Sequence, residues 1–208
     1  MGEGRSNQRR RTRHDLLKAA ARLMQEGRSP TLEDVAAEAL VSRATAYRYF
    51  SGIEPLLLEA ALDLAFPDPA QLFGSGTPSD PVERMQQAEA AVAAMVRSNE
   101  PALRMMLIHS LQRVIRGGEE GTPDRQNRRT PLIEAALAPA LDRIRPNVRS
   151  HLVAALALIV GTEAMLVFKD VLQMDDEQAA EVKRWAIRAL VEAAVDAEMP
   201  PPAPAAQG

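Results

Sequence analysis

TLEDVAAEALVSRATAYRYF, residues 31–50, holds two helix signatures back to back. Thr31 with Asp34 three residues on spells a capping box, in which each side chain takes an orphan backbone N–H of the other. Val35, Ala36 and Ala39 follow on one inward face. Ser42 then caps a second short helix, Arg43 to Tyr49. With Val41, Ala46 and Phe50 turned inward, Arg43, Ala44, Thr45 and Arg48 are left outside. Two short capped helices across a tight turn let the second project far enough to enter a DNA major groove, about 12 Å wide. Arg43 and Thr45 carry donors for base edges or phosphates, and Arg48 suits a phosphate or a flanking base. Three of the seven aromatics in the chain, Tyr47, Tyr49 and Phe50, fall within four positions. A tyrosine there can offer its hydroxyl to a phosphate while its ring packs on the scaffold. The spacing alone also fits a helical hairpin with an aromatic plug.

Upstream, Leu16, Leu17, Ala20, Leu23 and Met24 recur at helical spacing and predict a helix from about Arg13 to Glu26, stopped by Gly27. Downstream, Pro55 suits the first turn of a helix over 54–66, which Pro67-Asp68-Pro69 ends. Charge sets this quarter apart. The chain of 208 residues carries a net charge of −3, yet residues 1–53 hold +4 and the remainder −7. A basic end on an acidic body suggests contact with a polyanion; a solvated basic tail has the same composition.

The remainder also reads as helix. Residues 67–80 (PDPAQLFGSGTPSD) form a linker, and helices are expected over 81–98 and 101–116, then from Pro131 to before Pro146. Asn147 opens a long apolar helix to about Leu172, and Asp175-Asp176 opens the last, to about Ala197. Residues 117–124 form a loop, and the proline-rich tail, 199–208, is expected to be disordered. The expected domains are a flexible basic arm over 1–12, a helix-turn-helix domain over 13–66, the linker, and a larger helical domain over 81–198. The fold class is all-α. At 46% apolar and 25% charged, the chain can bury a core. It contains no cysteine, which excludes disulfides and thiolate chemistry. Its histidines, His14, His109 and His151, form no HExxH, and no glycine loop fits a phosphate cradle. No cofactor is expected and no catalysis. The longest apolar run, 152–161, is short of the about 20 residues that span a bilayer, and the amino terminus lacks the apolar stretch of a signal peptide. A cytoplasmic protein with no membrane partner is the expectation.

Residues 13–62 resemble the DNA-binding domain of the tetracycline-repressor (TetR) family of bacterial transcription regulators. The resemblance lies in Thr31, Val35, Ala36, Ala39, Val41, Ser42, Thr45, Tyr47, Tyr49 and Phe50. It implies that Arg43, Ala44 and Thr45 open a recognition helix at base edges. Tyr47 and Tyr49 would touch phosphate or base methyls, Ser42 would cap near the backbone, and Thr31 would reach a phosphate. Arg9, Arg10, Arg11 and Arg13 would follow the backbone or enter a minor groove. Two positions depart from the family pattern. Leu40 replaces the turn glycine, at a cost of order 1–2 kcal/mol if its backbone is left-handed; otherwise the turn is reshaped. Ile53 stands where the family usually has a phosphate-binding lysine, and one lost contact flattens the log–log salt slope by roughly 0.9 per subunit.

The same resemblance implies a ligand-responsive regulator, a repressor more often than not, that binds a palindromic operator as a homodimer and is released by a small-molecule effector. Helix 4, with Leu56, Leu57, Leu58 and Leu62, would be the lever. The last two long helices would form the dimer interface through Leu152, Leu156, Ile159, Val160, Ala164 and Val167 on one, and Trp185, Ile187, Leu190, Val191 and Ala194 on the other. Burial of the same faces within one chain is the alternative. Met95, Met105, Met106, Met165 and Phe168 would line an adaptable apolar ligand site, with His109 and Gln112 orienting a polar group; methionine at helical spacing is more often ordinary core. The competing functions are a helical small-molecule-binding protein and a regulator that acts through protein contacts with weakened DNA binding.

Overall fold

The computed structural model describes residues 3–74, 76–115 and 127–196. The expected loop over 117–124 and the tail over 199–208 lie outside the described residues. Eleven α-helices follow in order among them: α1 (Glu3–Gln25), α2 (Leu32–Glu38), α3 (Arg43–Tyr49), α4 (Ile53–Ala65), α5 (Pro69–Leu72), α6 (Pro81–Ser98), α7 (Glu100–Ile115), α8 (Arg129–Leu137), α9 (Pro146–Ile159), α10 (Thr162–Met165) and α11 (Asp176–Asp196). A 3-10 stretch, Ala138–Arg143, follows α8, and a π-helical stretch, Leu166–Val171, follows α10. The fold is all-α, with no strand among the described residues. None of these helices alone is long and apolar enough to cross a membrane.

The chain divides into two compact units, one within Met1–Phe66 and Arg97–Asn127, the other within Pro67–Val96 and Arg128–Gly208. The first holds α1 to α4 and also α7. Its core joins Leu16, Leu17, Ala20 and Leu23 of α1 to Leu32, Val35 and Ala36 of α2, Ala46 and Tyr49 of α3, Phe50, and Leu56 and Ala60 of α4. Ile53 packs against this cluster, so an apolar residue serves the scaffold there.

Helix α1 starts ten residues before the expected Arg13. Residues 3–12 contain no proline, and arginine, glutamine and glutamate propagate a helix readily once a buried segment nucleates it. The end of α1 is a Schellman cap: Arg28 N–H donates to the Leu23 carbonyl at 3.1 Å and Gly27 N–H to Met24 at 3.0 Å, with Gly27 at φ +75°. Helix α2 ends in the same way. Val41 N–H donates to Ala36 at 2.9 Å and Leu40 N–H to Ala37 at 3.1 Å, with Leu40 at φ +55°. The turn is therefore not reshaped: Leu40 takes the left-handed glycine position, with its side chain 94% exposed.

In the second unit Asp80 caps α6, its carboxylate accepting from Val82 N–H at 2.7 Å and Glu83 N–H at 3.1 Å. Asp175 caps α11 in a reciprocal box with Gln178. The helix begun near Pro131 tightens into its 3-10 stretch after Leu137, where Pro139 has no N–H for the α-helical ladder. Arg84 takes up carbonyls freed there, donating to Ala135 at 2.8 Å and Ala136 at 3.0 Å. The long helix expected over 147–172 is broken. Pro146 rather than Asn147 occupies its first turn, and Gly161, at φ +120°, ends it. At this break Arg129 donates to the Ala157 carbonyl at 3.1 Å and pairs with Glu163. The left-handed backbone of Gly161, at φ +120°, is what makes the bend need a glycine, and the Arg129 guanidinium fills the space beside it. Between α6 and α11, buried Lys183 and Glu89 pair at 2.7 Å.

Candidate nucleic-acid interface

The surface around α3 begins with two caps. Thr31 N–H donates to Asp34 at 2.9 Å, and Asp34 N–H to the Thr31 hydroxyl at 3.2 Å, which completes the box that starts α2. The Thr31 N–H, and after it the Thr31 hydroxyl, which donates to the same carboxylate oxygen at 2.7 Å, hold the Asp34 carboxyl below its usual range. Ser42 starts α3 by accepting from Thr45 N–H at 3.1 Å, and the two hydroxyls lie 2.8 Å apart.

Fixed at its start by Ser42, α3 is fixed at its back by Ala46, Tyr49 and Phe50, all buried. The opposite face carries Arg43, Ala44, Tyr47 and Arg48, all exposed, with Thr45 half-buried beside them. Thr31 and Ser42 are exposed at the two helix starts. Seven of the eight residues expected at DNA thus lie at or near one surface. Tyr49 does not: it is 6% exposed and belongs to the core, with the Arg48 guanidinium 5.4 Å from its ring centre. The period of the helix puts Tyr49 three residues after Ala46, on the same buried side.

The exposed groups are ordered among themselves. Arg43 Nε lies 2.7 Å from Glu33 Oε1, the Tyr47 hydroxyl donates to the same oxygen at 3.5 Å, and the Arg43 guanidinium sits 5.4 Å over the Tyr47 ring. A hydrogen bond with Tyr47 and then the Glu33 charge raise the Arg43 pKa further, so it is a fixed cation. Glu33 is a member of this surface that the motif alone did not single out. Its signal was a first-turn acid on α2, which reads equally as a dipole partner.

Arg13 is also placed differently from the sequence expectation. Rather than tracking DNA, it is buried and makes a two-pronged pair with Glu59 of α4, both contacts 2.5 Å, while lying 4.9 Å over the Phe50 ring. One arginine therefore ties α1 and α4 to the end of the reading helix.

The other expected sites draw on residues of both units. Met105, Met106, His109 and Gln112 lie on α7 in the first unit; Met95, Met165 and Phe168 lie in the second. Met106 and His109 join Phe50, Pro55, Leu58, Glu59 and Ser110 around a pocket with about 20 Å³ of room, enough for a water and too small for an effector. Of the residues expected to face a second copy, Leu152, Leu156, Val160, Ala164, Ile187, Val191 and Ala194 are buried within their own unit, where α9 packs on α11. Ile159 and Leu190 are half-buried. Val167 and Trp185 stand exposed, as do Leu158, Val171, Leu172 and Val182.

Residues 16–60 match the family model described as bacterial regulatory proteins, tetR family, a span that takes in α2, α3, the second part of α1 and most of α4. No curated protein matches the chain.

Proposed function

We propose that this chain, a TetR-family regulator by its residues 16–60, is a cytoplasmic bacterial repressor that grips a palindromic operator as a homodimer and leaves it when a small molecule binds. The observation that carries the reading is the division of α3 into a buried back of Ala46 and Tyr49 and an exposed front of Arg43, Ala44, Tyr47 and Arg48. A helix held so rigidly from behind presents its front residues to base edges without reordering the scaffold.

Arg43, Ala44 and Thr45 would meet the bases, with Tyr47 and Arg48 at phosphate or flanking bases. Thr31 and Ser42 would meet the backbone beside the helix starts. Tyr49 would act from the core by shaping the helix, offering no more than its hydroxyl edge. One copy reads one half-site, so the palindrome requires a second copy at about one helical turn, 34–36 Å. The exposed apolar side chains Val167 and Trp185 support a pairing surface on the second unit. Met95, Met165 and Phe168 of that unit remain the proposed effector lining. An effector that prefers one conformation by about 1–3 kcal/mol changes operator affinity roughly 5- to 150-fold. Helix α4 is the proposed lever, since Arg13–Glu59 fastens it to α1 and its Leu58 faces the same pocket as Met106 of α7. The role is regulatory and not catalytic.

Selection of bound fragments from sheared genomic DNA tests the proposal. A two-fold symmetric sequence should be enriched over input, and enrichment of no sequence at physiological salt would overturn the reading.

A further inference from the structure

We propose that Glu33 is a specificity-determining residue of this interface: it sets the pose of Arg43 so that each subunit reads one guanine. The inference rests on the DNA-binding reading above. Arg43 is a long, exposed side chain that an open surface would leave mobile, and ordering it on binding carries an entropic cost. Here a carboxylate on the neighbouring helix holds it in advance. Glu33 lies in the first turn of α2, between the two members of the Thr31–Asp34 box, so its own backbone is fixed.

The atoms engaged decide which base is read. Glu33 Oε1 lies 2.7 Å from Arg43 Nε, an atom outside the Nη1/Nη2 edge. That edge is the planar fork that donates to O6 and N7 of guanine. Tyr47 steadies the arrangement from beneath, with its ring under the guanidinium and its hydroxyl on Glu33 Oε1. Glu33 also carries a negative charge toward a polyanion. It therefore disfavours binding that consists of phosphate contacts alone, and sharpens the difference between operator and random DNA.

Base-preference profiles of wild type, Glu33→Ala, Glu33→Gln and Arg43→Lys, measured by selection from a randomised duplex library, test the proposal. Binding of the full chain to a random duplex is measured alongside. Glu33→Ala should lower the guanine preference at one symmetry-related position by about tenfold, within the range of one two-pronged base contact. Its affinity for random duplex should stay level or rise, which a merely unfolded or loosened domain would not show. Glu33→Gln, which keeps an acceptor for Nε, should retain the guanine preference, whereas Arg43→Lys should lose it with Glu33 intact. A Glu33→Ala profile identical to wild type, or one flattened equally at every position with weaker random binding, overturns the role of Glu33 and leaves the regulator reading standing. A wild-type profile with no preference at any position removes both.

Discussion

Leu40 occupies a place in the helix-turn-helix where the chain must pass through left-handed backbone, and its side chain gains nothing in return, being 94% exposed. A Cβ residue there costs about 1–2 kcal/mol, and glycine returns part of this through its larger unfolded-state entropy, about 0.4–1 kcal/mol. Leu40→Gly should therefore stabilise the protein by roughly 0.5–1 kcal/mol, read as a higher urea midpoint with an unchanged slope. A lower midpoint would mean that the Leu40 side chain contributes to the fold. The cap at the other end of α2 makes a pH prediction. Because the folded-state pKa of Asp34 is depressed, its stabilising effect is present above the unfolded value near 3.9 and is lost as pH falls through the lower folded value. The melting temperatures of wild type and Asp34→Ala should differ at pH 7 and converge below about pH 4.

Between elements, the strongest tie described in the first unit is the buried pair of Arg13 and Glu59. Removing one partner of such a pair strands the other charge out of water, at about 3–5 kcal/mol. Glu59→Ala should lower the unfolding free energy by that amount in chemical denaturation; a loss under 1 kcal/mol would mean that Arg13 finds water. This pair also marks where the sequence stops being legible. The starts of α2, α3, α6 and α11 were readable because each is written in a few adjacent residues: Thr31 with Asp34, Ser42 before Arg43, Asp80 before Pro81, Asp175 before Asp176. Arg13 was read as a DNA contact because its partner stands 46 residues away and nothing local points to it. The break at Gly161 has a distant partner too, since Arg129 bonds the Ala157 carbonyl and pairs with Glu163 beside the left-handed glycine. The exposure of Arg43, Ala44, Tyr47 and Arg48 was legible from helical period, whereas the contact of Glu33 with Arg43 depends on how α2 lies against α3.

At the level of the whole molecule, Leu152 and Leu156 of α9 and Ile187, Val191 and Ala194 of α11 are already buried within the chain, which leaves a smaller set for a second copy. Trp185, 70% exposed, is the largest of them. Trp185→Glu should leave thermal stability of the monomer near wild type while shifting sedimentation-velocity profiles from dimer toward monomer; an unchanged dimer would move the interface elsewhere. The proposed function requires both the dimer and the exposed front of α3, and the latter is the more direct object of test. Affinity of wild type, Arg43→Ala and Tyr47→Ala for a selected fragment, with a random duplex of equal length as reference at fixed salt, tests it most directly. The expected result is a loss of about tenfold or more for each variant on the selected fragment, with native circular dichroism and little change on random DNA. Wild-type affinity in both variants would contradict the account.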